Sequence, residues 1–141
     1  MAKKSKEVEA LLRERFGKDS LIALATAVEN VPSVRQVDAF YEDGAFYVLT
    51  HGLSAKMKQI EANAQVAVCG EWFTAHATGS SLGWFGAAEN APIAQKMRAV
   101  FAAWIDNGHT DLQDPNTCIL RLQLTDGVLW SHGACYDVDF T

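Results

Sequence analysis

The chain is 141 residues long, the size of one ordinary domain, and 49% of it is hydrophobic against 21% charged. That excludes a disordered polar chain and predicts a single folded unit over residues 1–141. The formal net charge is −5 and bases cluster only at Lys3, Lys4 and Lys6, so the basic footprint of a nucleic-acid binder is missing.

Glu7, Glu9, Arg13 and Glu14 interrupt the N-terminal stretch, so neither a signal peptide nor a membrane span is drawn and a cytoplasmic address is expected. Val8, Leu11, Leu12 and Phe16 recur at helical spacing before Gly17, predicting an amphipathic helix over residues 5–16. Leu21 to Thr26 is a short apolar run suited to a strand buried on both faces. Val34 to Tyr41 and Ala45 to His51 read as strands, and the Asp43-Gly44 between them is a strong hairpin signal. Ser54 to Ala62 reads as a helix with Ser54 as N-cap and Asn63 at its end. Gln65 to Trp72 alternates as a strand, and residues 73–85 return as another in which Gly79 and Gly83 mark bulges or close approaches.

Asn90 begins a longer helix whose stripe is Ile93, Met97, Val100, Phe101 and Trp104, closed by Asn107-Gly108. Cys118 to Leu124 alternates, Asp126-Gly127 reads as a turn, and Val128 to Gly133 completes a second hairpin that sets Val128, Trp130 and His132 on one face. Strands joined mostly by tight turns predict a mainly β protein with flanking helices, an antiparallel sheet closing into a small barrel.

Chemistry of the nucleophilic or metal-bound kind is not visible. His51, His76, His109 and His132 lack metal-ligand spacing, and Cys69, Cys118 and Cys135 are an odd set without C-x-x-C spacing, read as reduced and buried thiols. Ser80, Ser81 and Ser131 lack a G-x-S-x-G context, and neither G-x-G-x-x-G nor G-x-x-x-x-G-K-[ST] occurs. No catalytic residue is assigned.

The stretch VLTHGLSAKMKQI, residues 48–60, stands apart because Lys56 and Lys58 fall in the first turn of a helix, where acids are favoured. A helix N-terminus offers free amides, Thr50 and Ser54 add hydroxyls, and Arg35 comes from the strand predicted to pair with the one ending at Thr50. These groups could converge on one dianion. The same spacing also allows a simple cap, solvated lysines, and an Arg35 paired with Asp38 or Glu42.

The order Pro32-x-x-Arg35-x-Val37, Phe46-Tyr47-x-x-Thr50, Ser54-x-Lys56 and Ile60-x-x-Asn63-x-x-Val66 resembles the pyridoxamine 5′-phosphate oxidase-like, FMN-binding split-barrel proteins, especially the short general-stress-protein-like members. The resemblance implies an antiparallel split β-barrel in which Arg35, Thr50, Ser54 and Lys56 hold the FMN phosphate. It places backbone near Val37 and the turn from His51 to Leu53 along the flavin and ribityl chain. It implies a homodimer with flavin sites at the interface, the second subunit covering each ring with Trp130 or the region near Trp84. After the last predicted strand only Tyr136 to Thr141 remain, without the arginine- and histidine-bearing segment that holds substrate in true pyridoxamine phosphate oxidases, so vitamin B6 is not the expected substrate. His51 also stands where many relatives carry another residue.

The expected function is a flavin-dependent oxidoreductase acting on an unidentified small molecule, with no nucleic-acid or membrane partner. The flavin would supply the redox chemistry, which accounts for the lack of a protein nucleophile. Its rivals are a non-catalytic flavin-binding stress or sensor protein, a relative that takes a deazaflavin or haem in the same barrel, and a cofactor-free structural dimer.

Overall fold

Three two-residue turns govern the pairing of the strands. Glu29-Asn30, Asp43-Gly44 and His132-Gly133 all have positive φ at both positions, between 50° and 88°, the geometry that matches the twist of an antiparallel hairpin. They join β2 (Ser20–Val28) to β3 (Val31–Glu42), β3 to β4 (Ala45–His51), and β7 (Thr117–Ser131) to β8 (Ala134–Asp139). The computed structural model describes residues 1–141. Its other elements are β1 (Ala2–Lys3), α1 (Lys6–Phe16), α2 (Ala55–Ala62), β5 (Gln65–Gly70), β6 (Phe73–Trp84), a 3₁₀ turn at Ala88–Asn90 and α3 (Ala91–Val100).

The strands run in the order β7, β4, β3, β2, β5, β6, and β6 returns to β7, which closes a six-stranded antiparallel barrel. β7 is long enough to serve two neighbours on one edge. Its residues Thr117–Gln123 pair with β4, whereas Asp126–Ser131 pair with β8, to which β1 adds in parallel. The barrel interior is filled by alternate residues, among them Ile22, Leu24, Phe46, Val48, Leu120, Leu122 and Leu129. α1 lays Val8, Leu12 and Phe16 onto this core, the Phe16 ring meeting Phe46 edge-on with centroids 5.5 Å apart. Ser5 caps the helix by accepting from Val8 N at 3.2 Å. α3 and the residues after it cover the outer face of the sheet through a second core of Phe40, Phe85, Met97, Phe101, Ile105 and Ile119.

Several expectations need correction. Asp126-Gly127 is not a turn: β7 runs straight through it, Thr125 is bulged out where His76 pairs with Asp126 and Ala77 with Leu124, and the hairpin falls at His132-Gly133. Gly127 is there for close approach, since a Cβ would stand 3.0 Å from the Thr74 carbonyl oxygen and 3.1 Å from the Phe73 ring. Leu21 to Thr26 is not buried on both faces. It alternates, with Leu21 57% exposed and Ile22 in the core. α3 ends at Val100, although Phe101 and Ile105 stay buried. Of the thiols only Cys118 is buried, Cys69 and Cys135 being exposed, while all three are unpaired. Ser54 occupies the N-cap position of α2 but its side chain makes no capping bond.

Candidate cofactor site

The strands β3 and β4 are paired only where they leave their turn, Phe40–Glu42 against Ala45–Tyr47. Beyond that β3 stays with β2 through Val31–Ala39 while β4 follows β7 to His51. The barrel is therefore split between these strands, and the edge of β3 that carries Arg35 and Val37 is left without a strand partner on that side. α2 closes this end of the barrel: Met57 and Ile60 enter the core, and Asn63 Nδ2 donates to the Ala27 carbonyl at 2.9 Å.

Arg35 sits half-buried at this opening and is held only by neutral acceptors. Its guanidinium donates to the Leu24 carbonyl at 3.3 Å, to Thr26 Oγ1 at 2.9 Å and to Gln59 Oε1 at 2.5 Å, while Thr26 Oγ1 itself donates to Gln59 Oε1 at 2.7 Å. Neither acid that could have neutralised it does so. Glu42 pairs with Lys96, and Asp38 faces Asp19, its carboxyl pushed above the usual range by burial and by that neighbour. No ion pair in the structure involves Arg35, Lys56 or Lys58.

Lys56 is half-buried within electrostatic reach of both Arg35 and Cys118. Burial and the Arg35 guanidinium hold its amine below the usual lysine value of 10.5, with the Cys118 thiol opposing. Lys58 is exposed. Thr50, buried, pairs across β4 and β7 with Cys118, whose thiol is pushed up chiefly by burial. Ser54 Oγ is buried with no hydrogen-bond partner, which is rare and costly for a hydroxyl. Two like charges without a counterion, an orphaned hydroxyl and the first amides of α2 thus share one locality. The group that would satisfy all of them is a compact anion with several acceptor oxygens.

The remaining expected residues are placed differently. The Val37 side chain is in the core, so only its backbone faces the opening. His51 is exposed and engaged elsewhere: Nε2 meets Asp114 Oδ2 at 3.1 Å and Nδ1 accepts from Leu53 N at 3.3 Å. Trp130 lies twelve residues along β7 from Cys118, on the order of 40 Å measured along the strand. There it borders a cavity of about 350 Å³ with Arg15, Trp72 and His132. Within one chain it is not brought to Arg35 and Lys56. Trp84, by contrast, pairs directly with Cys118 at the end of β6 and lines a cavity of about 510 Å³ with Gly52, Met57, Ile60 and Ser81.

Thr26, Gln59 and Cys118 were not singled out by the sequence. Recognising the Glu29-Asn30 turn sets Leu24 opposite Arg35 and Thr26 diagonal to it, and Gln59 lies one helical turn after Lys56, on the same side of α2. No group of three or more His, Cys, Asp or Glu is arranged to hold a metal ion, and no helix is long and apolar enough to cross a membrane.

No protein-family model and no curated protein sequence matches the chain. Solved structures do. A FAD-binding protein from Mesorhizobium loti superposes with a TM-score of 0.66 at 15% identity, covering 88% of this chain and 91% of that one. A Clostridium acetobutylicum protein related to general stress protein 26, of the pyridoxinephosphate oxidase family, gives 0.64 at 14% identity over 94% and 92%. A heme-binding protein from Mycobacterium smegmatis gives 0.69 at 12% identity, over 99% of this chain and 60% of that one. Sequence identities this low speak to architecture alone, and the architecture agrees with the gap between β3 and β4. The chain has the antiparallel split-barrel fold found in pyridoxamine 5′-phosphate oxidase-like and general-stress-protein-like proteins.

Proposed function

We propose that the chain binds FMN by its phosphate at Arg35, Thr50, Ser54 and Lys56 and works as a flavin-dependent oxidoreductase on a small molecule in the cytoplasm. The observation that carries this reading is the pair of uncompensated cations beside the buried, partnerless Ser54 hydroxyl. A phosphate monoester supplies two negative charges and three oxygens where the protein leaves two positive charges and unused donors. The strand edge of β3 beyond Ala39, unpaired toward β4, offers backbone donors and acceptors to the edge of a ring system.

Flavin, once bound, supplies electron and hydride transfer at its N5 position, which asks no nucleophile of the protein. The chain's own tasks are then to neutralise the phosphate with Arg35 and Lys56, to donate from Ser54 and Thr50, and to exclude water. The homodimer belongs to the same proposal. The outer face of the barrel carries exposed Leu21 and Val34 beside the small Ala23, Ala25 and Ala67, an apolar surface suited to a second copy of the sheet. That copy would bring its own Trp130 to the ring, which one chain cannot do for itself.

The test is the absorption spectrum and mass of whatever co-purifies, with sedimentation of the same sample. Flavin bands, the mass of FMN and a dimer are the expected result. A Soret band would favour haem held by its propionates at the same cations, the reading supported by the likeness to the heme-binding protein. Colourless protein that takes up neither would refute both.

A further inference from the structure

We propose that Gln59 is the residue that makes Arg35 a phosphate ligand, by fixing the guanidinium without neutralising it. This rests on the phosphate site proposed above and concerns a residue outside it. Gln59 Oε1 accepts from Arg35 Nη2 at 2.5 Å and from Thr26 Oγ1 at 2.7 Å, and Thr26 Oγ1 in turn accepts from Arg35 Nη1 at 2.9 Å. The three side chains form a closed ring of hydrogen bonds spanning α2, β2 and β3. It orients the guanidinium as a carboxylate would.

The difference is charge. A carboxylate at this position would make the same two contacts, and more strongly, because an ion-assisted hydrogen bond is shorter and stronger than a neutral one. It would also cancel the charge an incoming phosphate has to meet. With the neutral amide the guanidinium stays in place and keeps its charge, which adds to burial in holding the nearby Lys56 amine below its usual value. Gln59 is thus a positioning residue: it touches Arg35 and helps the site select an anionic ligand over a neutral one of the same shape.

Fold stability and phosphate affinity therefore respond in opposite directions to one substitution. Gln59→Glu keeps both acceptor contacts, so its melting temperature should equal or exceed the parent's, while FMN affinity falls about tenfold and riboflavin affinity is unchanged. Gln59→Leu, which strands Thr26 and Arg35, should melt lower and weaken FMN through disorder of the guanidinium. The three proteins are titrated with FMN and with riboflavin by fluorescence, and melted with and without inorganic phosphate.

FMN bound by Gln59→Glu as tightly as by the parent overturns the inference, as does an equal loss of riboflavin affinity. If the parent takes up no FMN, the flavin reading fails, and inorganic phosphate decides the role of Gln59 alone. Stabilisation of the parent by phosphate but not of Gln59→Glu sustains it. Equal stabilisation, or none in the parent, ends it.

Discussion

Replacing Ser54 with alanine should stabilise the ligand-free protein and weaken the liganded one. At an N-cap whose side chain bonds a helix amide, loss of the hydroxyl costs about 0.5–2 kcal/mol. Ser54 makes no such bond, and its Oγ is buried without any partner, so the substitution removes an unmet hydrogen-bonding group instead. Such a group costs about 1–3 kcal/mol when desolvated. Taking the lower end, because burial of one hydroxyl also contributes some packing, the expected gain is about 1 kcal/mol, or a rise of about 4 °C in melting temperature for a domain of this size. In the proposed complex the same hydroxyl would donate to the phosphate, so FMN affinity should fall by about 1 kcal/mol, roughly fivefold. Thermal melts of the ligand-free proteins and FMN titrations measure both. A variant that melts several degrees below the parent would mean that Ser54 caps α2 in solution. One that binds FMN as the parent does would remove the hydroxyl from the site.

Lys56→Ala and Arg35→Ala should each weaken FMN by about 1.5–3 kcal/mol, roughly ten- to a hundredfold, whereas exposed Lys58→Ala should change little. Equal losses at all three would reduce the effect to general electrostatics. Lys56 also predicts a pH trend. Because its folded pKa is held below 10.5 by burial and Arg35, the folded chain carries fewer protons there than the unfolded one between that lowered value and 10.5. The penalty is complete below the window and stability rises with pH across it, so the ligand-free parent should gain on Lys56→Met as pH approaches 10.5, and bound phosphate should abolish the trend. A flat difference in melting temperature would argue against the Lys56–Arg35 repulsion. Gly70→Ala tests the core under α1: an added Cβ would stand 2.7 Å from the Phe16 ring, and overpacking of that kind costs about 1–3 kcal/mol. Denaturant melts that match the parent's would place Phe16 elsewhere.

Local chemistry made much of the barrel legible. Asp43-Gly44 can adopt positive φ at little cost, and the alternation on either side of it left one register for β3 and β4 near their turn. The stripe of α1 is likewise a periodic signal within one element, and the structure keeps it, as it keeps α2 starting after Ser54 although that side chain makes no capping bond. The reading failed where a residue's role is decided by what lies across from it. Asp126-Gly127 has the composition of a turn, yet Gly127 is there because Thr74 and Phe73 approach it, a fact of pairing between strands about fifty residues apart. Cys69 sits in an apolar-looking strand, and only the barrel decides that it faces outward.

The candidate site divides in the same way. Arg35, Thr50, Ser54 and Lys56 are residue types with a charge or a hydroxyl to offer, and their spacing already suggested a common anion. Whether Arg35 was free to meet one could not be read from spacing, since Asp38 and Glu42 stood equally near in the sequence. Tertiary structure decided it by giving Glu42 to Lys96, setting Asp38 against Asp19 and bringing neutral Gln59 from α2 to the guanidinium. Types and periodicities are properties of the chain. Which charges remain uncompensated depends on contacts between elements distant in sequence, and those exist only once the barrel has closed.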